Sequence, residues 1–163
     1  MLQLKLTISL DYSYTIPVEV GDPGQRLNLS LDTGSPDFWV WSSLLTSTNL
    51  TDDKKYFNVS DSINGSFYGN NTFSTTNAYG PVWSDTVDVG GLDTRFNPIE
   101  TPEWIDTVYS SLTDVSGIFG LGLAEYDSEY PEGQQTWLDY WAGTRNNATI
   151  LQCEMSSARS LGI

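Results

Sequence analysis

Leu31-Asp32-Thr33-Gly34-Ser35 decides the reading of this 163-residue chain, because it sets one carboxylate on a glycine turn at the end of a strand. The run before it, Arg26-Leu27-Asn28-Leu29-Ser30-Leu31, carries leucine at every second position, the period of a half-buried strand. The run after it, Phe38-Trp39-Val40-Trp41, is aromatic and β-branched and reads as a second strand. A carboxylate fixed where one packed strand gives way to another has a defined direction, which chemistry at that group requires. Asp-Thr-Gly-Ser by itself also spells an ordinary Asp-Gly turn, so the flanking sequence carries the decision.

Composition narrows the chemistry. The chain has no histidine, which excludes Ser-His-Asp and Cys-His nucleophile systems and histidine-ligated zinc. Cys153 is the only cysteine, so an internal disulfide or a CxxC pair is impossible. No glycine loop with a phosphate-binding lysine occurs. A formal net charge of −14, with seven Lys and Arg in total, argues against nucleic acid or an anionic membrane surface as partner. Such acidity suits either work at low pH, where carboxylates are protonated, or simple solubility.

The order of segments extends the argument. Tyr14-Thr15-Ile16-Pro17-Val18-Glu19-Val20-Gly21, then Pro23 and Gln25, lead into the leucine strand, Asp32-Thr33-Gly34-Ser35 and Phe38-Trp39-Val40. Trp83-Ser84-Asp85-Thr86-Val87-Asp88-Val89-Gly90-Gly91 and Ser116-Gly117-Ile118-Phe119-Gly120-Leu121-Gly122 follow. From about Asp11 to Trp141 this succession resembles the N-terminal lobe of the pepsin-like aspartic proteases (peptidase A1). The resemblance implies an all-β lobe with one or two short helices over residues 1–142, an atypical tail over 143–163, and endopeptidase cleavage of extended peptides at acid pH.

By the same resemblance Asp32 is the catalytic aspartate, Thr33 ties paired active loops together, Gly34 permits their close approach, and Ser35 hydrogen-bonds the aspartate. No cofactor or metal is implied. The family places a Tyr-Gly pair on a hairpin flap that closes over substrate. Tyr68-Gly69 supplies it here if residues are inserted before Gly80, whereas ungapped counting back from Asp85 lands on Thr72 or Phe73. Trp39 reads as core, matching the tryptophan that supports the flap.

Amide hydrolysis without metal or nucleophile needs one group to activate water and another to protonate the carbonyl oxygen, tasks that two adjacent carboxylates sharing a proton perform. No other aspartate is followed by Thr or Ser and then Gly: Asp61, Asp85, Asp93, Asp106 and Asp127 all lack the glycine. The chain therefore supplies half of a dyad. Three arrangements answer this: a fragment, truncated or mis-spliced product whose partner is the missing C-terminal lobe; a homodimer with one Asp32 per chain, as in retroviral proteases; or a non-catalytic secreted module that binds peptide by strand pairing.

The remaining stretches are read more coarsely. The segment from Ser42 to Gly80, rich in Asn, Ser, Thr and Gly, is expected to be turns with only short strands. Gln134 to Trp141 is the best short helix, with Trp137, Leu138 and Trp141 clustered. Met1 to Leu10 alternates apolar and polar residues as a strand does and is not a signal peptide. Asn49, Asn58, Asn64, Asn70 and Asn147 head Asn-x-Ser/Thr sequons, as does Asn28 inside the leucine strand. Their number points to the secretory pathway, with a secreted or vacuolar/lysosomal destination by resemblance.

Overall fold

The computed structural model describes residues 7–9, 13–46, 55–75, 78–106 and 115–143. Among these, ten strands and one α-helix build a predominantly β architecture, as expected. The strands are β1 (Thr7–Ser9), β2 (Ser13–Val20), β3 (Gln25–Asp32), β4 (Phe38–Val40), β5 (Ser66–Ser74), β6 (Ala78–Val89), β7 (Leu92–Glu100), β8 (Trp104–Ile105), β9 (Gly117–Gly120) and β10 (Glu129–Tyr130); the helix is α1 (Trp137–Gly143). Their order across the sheet is β1-β2-β3-β9-β4-β7-β6-β5-β10, with β8 on β6, and a further β2–β6 pairing curls the sheet back on itself.

Alternation in the sequence becomes burial in the sheet. β2 and β3 pair antiparallel with Ile16 opposite Leu29 and Val18 opposite Leu27, and these four side chains are buried. Each fully buried aliphatic chain of this size contributes about 1.5–3 kcal/mol. Val87, Val89, Ile99, Phe38 and Phe119 join them in the main core. Gly90 and Gly91, both at positive φ, turn β6 into β7.

The helix follows from a cap. Thr136 Oγ1 accepts the Asp139 N–H at 3.2 Å, while an Asp139 carboxylate oxygen accepts the Thr136 N–H at 3.1 Å, a reciprocal box that starts α1 at Trp137 rather than at Gln134. Trp137 and Trp141 then stack one turn apart, with ring centroids 6.2 Å apart, and Trp137 meets the Phe119 ring edge-on at 4.7 Å. Thr136→Ala is expected to lower the denaturation free energy by about 1 kcal/mol, as measured by urea titration of tryptophan fluorescence.

The Ser42–Gly80 stretch departs from expectation. β5 is nine residues long and β6 twelve, so a long hairpin stands where turns and short strands were expected. Its irregularity hides it. Phe67 faces Trp83 and Thr72 faces Pro81, so Tyr68 to Asn71 lie opposite Val82 alone. A bulge of this kind breaks the two-residue alternation by which a strand is read.

The N-terminal strand reading holds over Thr7–Ser9. The tail from residue 144 lies outside the described residues, as do Asn49 and Asn147. No helix among the described residues is long and apolar enough to cross a membrane.

Candidate active site

Asp32 ends β3, and the turn after it is braced from two directions. The Gly34 N–H donates to Asp32 Oδ1 at 2.8 Å. β9 inserts between the strands on either side of the turn, parallel to β3 with Asp32 opposite Gly120, and antiparallel to β4 with Phe38 opposite Phe119. The Leu121 N–H reaches the Asp32 carbonyl at 2.7 Å and the Gly122 N–H reaches the Ser35 carbonyl at 2.9 Å.

Glycine makes this approach possible. A Cβ on Gly117, whose φ is +148°, would fall on the Trp39 carbonyl. One on Gly120 would fall on the Pro36–Asp37 backbone, and one on Gly122 would lie 2.7 Å from the Ser35 carbonyl carbon. Gly34 differs: the nearest atom to a Cβ there is Asp32 Oδ1 at 3.3 Å. Among the described residues nothing else lies within 4 Å of it.

The other expected site residues fall as follows. Asp32 is half-buried, and Thr33 and Gly34 are exposed. Ser35 engages Asp37 rather than Asp32: its Oγ donates to Asp37 Oδ2 and accepts the Asp37 N–H, both at 3.1 Å. Tyr68 and Gly69 lie in the β5 bulge, Gly69 at φ +60°. β5 ends at Ser74 and β6 begins at Ala78, with the Thr75 N–H on the Ala78 carbonyl at 2.8 Å. The Tyr68 hydroxyl is 3.1 Å from that of Tyr140 on α1, and burial with this contact pushes the Tyr140 phenol up to about 12. Phe73, nearer the turn, is buried with Trp39, Trp41, Val82 and Ile105. Thr72 is exposed.

Of the sequons, Asn28 and Asn64 are exposed. Asn58 is half-buried, with its side-chain amide bonded to Asp61 at 2.8 Å and its carbonyl oxygen capping Ser60 at 3.2 Å. Asn70 lies in β5, within the bulge.

Sequence reasoning missed a buried acidic group behind the turn. Carboxylate oxygens of Asp37, Glu100 and Asp127 lie within 4.8 Å of one another. Glu100, Asp127 and Glu129 line a cavity of about 10 Å³, the space of roughly one water, whose wall also includes Pro36, Phe38, Pro98, Thr136 and Trp137. Burial first, then Asp37, Glu129 and Asp127, hold the Glu100 carboxyl well above the usual carboxylate range. Burial, Asp127 and Asp37 push Glu129 up to about 8. Burial also raises Asp127, against the backbone N–H groups of Glu129 and Ser128 that pull it down. The available signal was Glu100, an acid directly after the apolar pair Pro98-Ile99 and therefore in a buried strand end.

A sheet that folds back on itself, with a carboxylate on a glycine turn clasped by a Gly-x-x-Gly-x-Gly strand, is the architecture of one lobe of a pepsin-like protein. The sequence profile described as Eukaryotic aspartyl protease matches residues 13–150, and the chain belongs to that family. It is 32% identical over 136 residues to endothiapepsin of Cryphonectria parasitica, covering 80% of this chain and 32% of that protein. It is 29% identical over 135 residues to podosporapepsin of Podospora anserina, with coverage of 80% and 32%. Over 131 residues it is 32% identical to penicillopepsin-3 of Penicillium janthinellum, with coverage of 79% and 32%. The chain thus spans about a third of the length of these relatives.

Proposed function

We propose that this chain is the N-terminal lobe of an aspartic endopeptidase, with Asp32 one of the two carboxylates that cleave extended peptides at acid pH. The observation that carries this reading is the braced turn: Asp32 is held by the Gly34 N–H at 2.8 Å and its carbonyl by the Leu121 N–H at 2.7 Å, with Thr33 and Gly34 open to a facing partner. A carboxylate so fixed can share a proton with a second one brought opposite it, and the pair then acts as base toward water and acid toward the carbonyl oxygen. The partner is a C-terminal lobe that brings the second aspartate. Thr33 and Gly34 meet its loop, and Ser35 braces Asp37.

Tyr68 belongs to the flap hairpin at its bulge, anchored to α1, whereas the end of β5 is formed by Thr72, Phe73 and Ser74. No cofactor enters the scheme. Several sequons, with Asn64 exposed, support passage through the secretory pathway and a secreted or vacuolar site of action.

One experiment separates this from the homodimeric arrangement. Size-fractionated monomer is expected to show no cleavage of a denatured protein at acid pH, because one carboxylate cannot be base and acid together. Activity confined to a dimer fraction and lost on Asp32→Asn would instead establish the homodimeric arrangement. Cleavage by a verified monomer would overturn the half-site reading.

A further inference from the structure

β10 is a two-residue strand with an unusual task. It pairs with the outer strand of the flap hairpin, placing Glu129 opposite Phe73 and Tyr130 opposite Thr72, and the Ser74 N–H reaches the Ser128 carbonyl at 3.3 Å. The same segment is tied to the Asp32 turn, because the Ser128 N–H donates to Asp37 Oδ1 at 3.0 Å. Between these ties Glu129 is 6% exposed, and its side chain lines the small cavity behind the turn.

We propose that Glu129 is a positioning residue: protonated, it seats β10 on β5 and so ties the flap hairpin to the turn that carries Asp32, and its ionisation releases that strand. The relevance of this to catalysis rests on the aspartic-protease reading; the tether itself does not.

The charges around Glu129 leave it one comfortable state. Asp127 faces it from its own segment, Asp37 from the turn and Glu100 from β7. α1 contributes Asp139, which acts on Asp127, and Tyr140, whose phenol is bonded to Tyr68 of β5. Every charged side chain acting on Glu129, Glu100 and Asp127 is acidic; no Lys or Arg among the described residues is among them. Glu129 Oε2 and Glu100 Oε2 are buried without a hydrogen-bond partner. A neutral acid tolerates such a place at modest cost, whereas an unpaired carboxylate there is strongly disfavoured. The Asp37 carboxyl beside Glu100 adds to the burial that holds Glu100 above the usual carboxylate range.

The sign follows from the raised folded-state value. Glu129 stabilises the seated strand fully below its ordinary value of 4.5, and that contribution is lost as pH rises through about 8. The seated flap strand is therefore a low-pH form.

Hydrogen exchange on the full 163-residue chain, expressed as protection factors between pH 4.5 and about pH 8, tests this. Protection over 72–74 and 128–130 is expected to fall by about tenfold or more across that range, while β2 and β3 keep theirs. Glu129→Gln, neutral at every pH, is expected to hold this protection flat, and Glu132→Gln, on an exposed residue nearby, to behave as the wild type. Equal loss in Glu129→Gln, or no pH dependence in the wild type, would overturn the proposal.

Should Glu129→Gln not fold, the wild-type profile still decides. Loss in β5 and β10 at lower pH than in β2 and β3 is the expected result, and coincident loss overturns it. Restoration at pH 8 by millimolar Ca²⁺ would assign the carboxylates to a cation instead and likewise overturn it. No arm reads proteolysis, so a chain without peptidase activity bears on the proposed function alone.

Discussion

Co-refolding this chain with the C-terminal lobe of an endothiapepsin-like relative is expected to produce peptidase activity with an acid optimum. Asp32→Asn in the same complex is expected to reduce it by about three orders of magnitude, the scale of losing a positioned acid–base group. The geometry asks only for a second carboxylate opposite a turn that is already braced, so the gain depends on assembly and not on remodelling of β3 or β9. A mimic carrying a hydroxyl in place of the scissile carbonyl should block the complex, since that hydroxyl occupies the place of the attacking water. Peptide cleavage followed by mass spectrometry, with assembly verified by size exclusion, provides the readout. An assembled but silent complex would place the fault in this chain, and the hairpin around Tyr68 and Thr72 would be the first region to examine.

How much of this was legible in the sequence depends on whether a feature is local. The leucine alternation at 27, 29 and 31 led directly to β3, because periodicity acts over a few residues. The glycines at 117, 120 and 122 could be read through resemblance, but their reason is steric and lies about 85 residues away, against Trp39, Asp37 and Ser35.

The β5–β6 hairpin was concealed by its bulge, which interrupts the alternation that identifies a strand. The acidic group was hidden for another reason. Asp37, Glu100, Asp127 and Glu129 come from three separated stretches, each unremarkable among 21 acidic residues, and only the fold brings them together. Ser35 shows the limit of reading a role by position: its hydroxyl has two carboxylates near it in sequence, and the turn geometry gives it to Asp37.

Gly117→Ala and Gly120→Ala are each expected to be among the most damaging substitutions in the chain. At Gly117 a methyl group would meet the Trp39 carbonyl, and the φ of +148° is one that side chains rarely adopt. Overpacking and backbone strain of that kind together cost about 4 kcal/mol, against roughly 5–15 kcal/mol for the stability of a whole domain. At Gly120 the contact is with the Pro36–Asp37 backbone, which cannot move without dragging the Asp32 turn. Gly143→Ala, where a Cβ meets nothing within 4 Å, is the matched control and should change stability little. Urea unfolding followed by tryptophan fluorescence gives the comparison. A loss below about 1 kcal/mol at both Gly117 and Gly120 would contradict the close approach of β9.

The pairing of Asp32 with Gly120 also fixes when this turn can exist during biosynthesis. The two residues are 88 positions apart, which makes their contact one of high sequence separation and slow closure. A ribosome adding about 5–20 residues per second needs roughly 4–18 s to travel from one to the other. Throughout that interval β3 and β4 are already outside or in the exit tunnel while the strand that belongs between them has yet to be made. The nascent chain therefore carries an open slot edged by Leu31 and Phe38, a place where a holdase or a stray strand could bind. The carboxylate turn becomes a rigid object only when Gly117–Gly122 emerges to fill the slot.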